Sequence, residues 1–230
     1  MTSVPDSFLC EQLGSDKSAE AFAFHQKFLS SAGPYLWPRD SDQIKKFAEI
    51  GELFGVRQMT GSLVGLCYAT ELSQEEARQI NLTGWELGGV TVEKTAQRRG
   101  LGALLVRFAL GHTILNQRPW FNRQEIVTLV HEENQKPLSV LKQLGFEKRG
   151  QVEFPNAPET VRRNDAGKVI ADKYIFPHSA VRELHRWFNN FRGDLGDGSD
   201  VRFSIPPADV SRIIEALQEA IQELGAAARP

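Results

Sequence analysis

The chain has little cysteine, no long apolar run and no surplus of positive charge, and each shortage excludes a class of protein. Cys10 and Cys67 are its only cysteines. They stand in unlike contexts without metal-ligand spacing, so both read as core or neutral positions and no disulfide framework is expected. No uninterrupted apolar stretch approaches the roughly 20 residues that span a bilayer. The opening MTSVPDSFLC has neither a basic region nor a long apolar run, so no secretory leader is expected and the cytoplasm is the expected address. Lys and Arg total 27 against 29 Asp and Glu, a net charge of -2. A basic excess suited to nucleic acid phosphate is missing, and neither nucleic acid nor membrane is expected as a partner. His112, His131, His178 and His185 show no metal spacing, and His25 reads as a helix-face residue; no metal is expected.

What is present is ordinary globular material: 41% hydrophobic and 24% charged residues in a chain of 230. That suits one domain with an elaboration. Residues 17 to 31 carry Ala21, Phe22, His25, Phe28 and Leu29 at helical spacing, stopped by Gly33-Pro34. Tyr35 and Trp37 follow between two prolines. Asp40 or Ser41 can cap a second helix with Ile44, Phe47 and Ala48 inside. Leu53 to Met59 and Leu63 to Thr70 read as strands around the turn Thr60-Gly61-Ser62. Ser73 and Glu76 match a capping box. Gly84 to Val92 is the next strand, whose paired glycines predict a bulge or a close backbone approach.

A helix over Leu101 to Leu115 comes next, then a buried strand over Glu125 to Val130 and a helix over 135–144 ending at Gly145. Strands at Phe146 to Phe154 and Asp172 to Phe176 close the unit, joined through a turn at Asp165-Ala166-Gly167. This order predicts an α/β fold with a mixed, mostly antiparallel central sheet flanked by helices. From His178 the pattern changes. A helix over 179–191, a linker over 192–200, a short strand at Val201 to Ile205 and a helix beyond Pro206-Pro207 are expected. The last helix carries Val210, Ile213, Ile214, Leu217, Ile221 and Leu224 on one stripe. Two parts are therefore expected, a domain over 1–177 and a C-terminal extension over 178–230. The extension would pack back on the domain or form a homodimer contact.

In the middle of that order a strand leads through Gln97-Arg98-Arg99-Gly100-Leu101-Gly102-Ala103 into a helix. A helix's first turn leaves N–H groups unpaired and carries partial positive charge, which suits an anion. Gly100 and Gly102 permit close approach, and Arg98 and Arg99 add positive charge. Rossmann and P-loop patterns fit worse. No third glycine stands at Rossmann spacing, and no Gly-Lys-Ser/Thr follows.

The segment resembles the cofactor-binding core of the GNAT superfamily of N-acetyltransferases, marked by Q/R-x-x-G-x-G/A. Gln97, Gly100 and Gly102 match, and Val92 stands where that family ends the preceding strand. Asn134, followed by a helix and Gly145-Phe146, matches a second landmark. The resemblance implies acetyl-CoA as acyl donor and an amine-bearing small molecule or peptide as acceptor. It also implies a cofactor contact surface of Val90, Thr91, Val92, Gln97 to Ala103 and Asn134 (the last against the pantetheine arm). Glu86 is the implied base acting through water, with a backbone N–H near Val90 for the oxyanion. Strand alternation puts Glu86 on the face of Gly88, Val90 and Val92. Tyr35 and Trp37, with the loop around Arg162 and Arg163, would border the acceptor. One departure is Leu141, where many members carry a tyrosine as general acid; Ser139 or solvent would serve instead. An acyl-CoA-binding or protein-interaction module without catalysis, and a protein-directed acetyltransferase, are the alternatives.

Overall fold

The structure, a computed structural model, describes residues 7–31, 35–118, 124–193 and 201–227. Its strands are β1 (Ser7–Gln12), β2 (Leu53–Gln58), β3 (Leu63–Glu71), β4 (Gly84–Val92), β5 (Glu125–His131), β6 (Glu147–Glu153), β7 (Ile170–Phe176) and β8 (Arg202–Ser204). Its α-helices are α1 (Ser18–Ser31), α2 (Ser41–Glu49), α3 (Gln74–Ile80), α4 (Leu101–Gln117), α5 (Leu138–Gln143), α6 (Val181–Asn190) and α7 (Pro207–Ala227). The strands form one open sheet in the order β6-β7-β5-β4-β3-β2-β1-β8. Only β4–β5 and β1–β8 pair in parallel; the rest are antiparallel. This is the mixed, mostly antiparallel sheet that the order of elements predicts.

β3 lies in the middle and is covered on both faces, which explains its nearly unbroken apolar run. Val64, Cys67 and Ala69 face α4, while Leu63, Leu66 and Tyr68 face α1 and α2. α4 is enclosed almost all round, from Leu101 to Ile114, because the sheet lies on one side and α7 on the other. α2 starts where its cap requires: the Asp40 side chain accepts from Gln43 N–H, and Gln43 returns the bond to the Asp40 N–H. The Ser73 box opens α3 in the same way.

Three elements differ from the sequence reading. β1 is a strand that the sequence reading lacked; only Phe8 and Cys10 alternate inward on it, too few for a clear period-2 signal. α5 starts at Leu138 rather than 135, because Pro137 can stand at a helix start but not inside one. β8 joins the main sheet, pairing with β1 from Ser7↔Arg202 to Leu9↔Ser204. The stop at Gly33-Pro34 and the linker from 194 to 200 lie outside the described residues. α7 packs on α4 and α6 and buries Ile213 and Leu217 completely. Gly111 makes this approach possible, since a Cβ there would lie 2.7 Å from Ile213 Cγ2.

Candidate functional site

The site begins where β4 and β5 part. They pair only from Gly84↔Glu125 to Glu86↔Val127, whereas β4 stays paired with β3 as far as Val92↔Gly65. A wedge therefore opens toward the carboxyl ends of these two parallel strands, and α4 and α5 begin at that end. A β4 bulge lies along it, with the register shifting between Leu66 and Tyr68. Gly88 and Gly89 lie flat on the Tyr68 ring: a Cβ would come within 2.5 Å of the ring's hydroxyl at Gly88 and 2.6 Å of the ring at Gly89. Gly89 also has φ +64, which a side chain rarely accepts.

The bulge resets the alternation. Glu86 faces Arg39 and Tyr68, but Val92 packs into the α4 side with Trp85 and Leu87. Val92 thus does not share the face of Glu86, contrary to the simple period-2 reading. Val90 is 36% exposed in the wedge, and Thr91 is buried with its hydroxyl donating to Leu66 O.

Beyond Val92 the chain turns back so that Gln97 Nε2 donates to Val92 O at 2.9 Å. Arg98 is exposed with φ +63 and Gly100, the N-cap of α4, has φ +76. No side chain caps this helix start, and no acidic residue stands in its first turn. Among the described residues, and apart from its chain neighbours and its own helix backbone, a Cβ built at Gly102 would meet Val92 Cγ2 alone within 4 Å, at 4.0 Å. The first-turn N–H groups of α4 are thus left without a side-chain cap, an arrangement that suits a phosphate. Leu101 and Ala103 face the core, and the Arg99 guanidinium lies over the Phe8 ring at 5.9 Å.

Glu86 is held by a residue of the α1–α2 connection. Arg39 Nη2 donates to Glu86 Oε2 at 3.2 Å, and Arg39 Nε and Nη2 donate to the Tyr68 hydroxyl at 3.2 and 2.8 Å. The Arg39 N–H in turn donates to His25 Nε2 at 3.0 Å. Burial pushes the Glu86 carboxyl above the usual carboxylate range, against the pull of Arg39 and with Glu76 adding to the rise. Burial and the Arg39 charge push His25 down to about 4, so it is a neutral acceptor. Burial and the Glu86 charge hold the Tyr68 hydroxyl protonated.

The other wall comes from β5 and the loops. Asn134 N–H donates to His131 O at 2.8 Å, and its Oδ1 accepts from Lys136 N–H at 3.4 Å, shaping the turn into α5. The Tyr35 ring packs tilted against His131, with centroids 5.0 Å apart, and its hydroxyl donates to Glu133 at 3.4 Å. Glu133 is ion-paired with Arg162. Trp37 packs on Phe154 and on a small cluster of Ala157, Val161 and Val169. Arg163 donates to Gly167 O and Ala157 O, which makes it a brace for its own loop.

Residues 63–154 match the family model described as FR47-like protein. No curated protein matches the chain by sequence. Among solved structures, a GNAT-family acetyltransferase from Streptococcus pneumoniae superposes with TM-score 0.51 at 16% identity, covering 73% of this chain and 98% of that one. A polyamine N acetyltransferase from Drosophila melanogaster gives 0.54 at 9%, covering 73% and 98%. The NatC complex, solved with Gag peptide and CoA, gives 0.54 at 17%, covering 74% and 98%. The chain has the GNAT fold.

Within this GNAT fold, Glu86 is the last β4 residue paired with β5, Val90 lies beyond that pairing, the Gln97–Ala103 turn leads from β4 into α4, and Asn134 lies in the turn after β5. Leu141, at the position of the family's frequent tyrosine, is 4% exposed and part of the core. Ser139 is exposed. Arg39 and Tyr68 are the residues that sequence reasoning missed. Tyr68 carried a faint signal, a lone hydroxyl-bearing ring in an aliphatic strand. Arg39, in the loop before a helix cap, carried none.

Proposed function

We propose that the protein is an acyl-CoA-dependent N-acyltransferase that moves an acetyl group from acetyl-CoA to a primary amine by direct attack on the thioester. The observation that supports this reading is the parting of β4 and β5 after Glu86, a partly buried carboxylate, with β4 running on to the uncapped, glycine-bearing start of α4. The acetyl donor's pyrophosphate would take the N–H groups of α4, with Gln97 to Ala103 around it and Asn134 toward the pantetheine arm. Val90 to Val92, free of β5, would flank that arm, and the Val90 N–H would stabilise the oxyanion.

An alkyl amine with pKa about 10 must lose a proton to attack. Glu86, through water, takes it as the C–N bond forms; the tetrahedral intermediate then collapses and the C–S bond breaks. A thiol pKa of about 8.5 lets the thiolate leave and take its proton from solvent, so the loss of the family tyrosine at Leu141 is tolerable. Tyr35 and Trp37 border the acceptor, a small molecule or peptide. The solved relatives that carry CoA with a peptide, or act on polyamines by name, support that range.

Leu141 favours one rival, an acyl-CoA-binding module without turnover. Thiol release from acetyl-CoA across amines, amino acids, peptides and polyamines separates the two. Glu86→Gln should lower turnover by about 10²- to 10⁴-fold and leave CoA affinity unchanged. CoA binding with no thiol release from any acceptor would leave the binding module standing instead.

A further inference from the structure

We propose that Arg39 is the positioning residue for Glu86: it holds one carboxylate oxygen so that the other stays free, and it sets the pH at which that oxygen can take a proton. This rests on the reading of Glu86 as the base. The geometry is asymmetric. Oε2 accepts from Arg39, whereas Oε1 accepts from none of the described residues and is not among the fully buried unpaired atoms. The contact is single, not the bidentate fork that Arg and a carboxylate frequently form. Arg39 itself has little freedom. Its guanidinium donates twice to Tyr68, lies over the Tyr68 ring at 4.9 Å and the Phe47 ring at 5.9 Å, and its backbone is tied to His25. Side-chain exposure is 10% for Arg39 and 14% for Glu86, so water screens the pair only weakly.

The charged and titratable groups around Glu86 are Arg39 from the α1–α2 connection, Tyr68 on β3 and Glu76 on α3. β5 contributes the apolar Val127 beside it. Arg39 is thus the one cation among these groups, and it opposes both burial and Glu76. Tyr68 serves twice, anchoring Arg39 with its hydroxyl and seating the Gly88–Gly89 bulge with its ring. The base and the oxyanion-facing stretch of β4 are therefore referenced to the same side chain.

The test is a titration of the Glu86 carboxyl carbon by NMR in the full chain carrying ¹³Cδ-glutamate, with Glu86→Gln assigning the signal. Arg39→Gln should raise the Glu86 midpoint by about one to three pH units, and Arg39→Lys should recover most of the shift. Tyr68→Phe keeps the ring and the buried charge, and should raise the midpoint by less. It also covers the case in which Arg39→Gln fails to fold. The acidic limb of kcat/KM should move with the midpoint. An unmoved midpoint in folded Arg39→Gln, or in Tyr68→Phe where only that variant folds, overturns the proposal. A moved midpoint with an unmoved acidic limb instead shows that Glu86 is not the base, and removes the role of Arg39 in the reaction with it.

Discussion

Gly102→Asp puts the helix-start reading to a test in which stability and binding should move in opposite directions. Gly102 is the second residue of α4, and a Cβ there meets only Val92 Cγ2 at 4.0 Å. A Cβ at this position therefore meets no close contact. An aspartate in the first turn interacts favourably with the helix dipole by about 0.3–1 kcal/mol, and it removes glycine's helix penalty. Thermal unfolding should hold steady or rise. For a CoA pyrophosphate at the same N–H groups, the new charge is repulsive. At a separation of about 4 Å this costs ~1 kcal/mol if fully water-screened and ~4 kcal/mol at a surface-like dielectric. With ~1.4 kcal/mol per tenfold, CoA should bind about 5- to 1000-fold more weakly. Gly102→Asn, of equal size and no charge, should lose much less, and added salt should narrow the gap between the two. Calorimetric titration beside a melting curve reads both quantities. Wild-type CoA affinity in Gly102→Asp would refute the placement of the pyrophosphate at this helix.

Two buried histidines should make stability fall with acid. Burial pushes His112 down to about 4, against the opposing Asp209 at 3.9 Å, and His25 is likewise pushed to about 4. The folded state thus binds protons less readily than the unfolded chain. Their contribution is complete above pH ~6.5 and is lost as the pH falls from there to about 4, by at most ~1.4 kcal/mol per pH unit for each histidine. His112→Phe fits a ring already packed on Phe54 and Phe108. It should lessen the slope in denaturant melts between pH 4 and 6.5, and an unchanged slope would count against burial as the cause. Leu141→Tyr should not restore the family acid. Leu141 lies in the core, so the larger ring should cost about 1–3 kcal/mol in overpacking and leave kcat no higher. A faster enzyme would show that the position reaches the reaction centre after all.

Much of this was legible in the chain because its signals are local. Caps at Asp40 and Ser73 rest on groups three residues apart, and the bounds of β4 follow from its composition between turn residues. The glycine-bearing turn before α4 is likewise a contiguous feature, as is the αL stop at Gly145, with φ +79. Short β1 escaped, since two inward side chains make no period.

From the sequence alone come the mixed α/β order, the glycine-bearing helix start and the presence of Leu141 where GNAT members often carry a tyrosine. Each depends on residues within a few positions of one another. Tertiary structure alone decided which face Val92 takes, because the β4 bulge forms against Tyr68 of a neighbouring strand. It alone joined Arg39 to Glu86 across 47 residues of chain. Side-chain periodicity carries no information about such a pair, since sheet pairing and the path of the α1–α2 connection bring the two charges together. The surroundings of Glu86 were decided in the same way, by burial and by a partner that no local pattern announces.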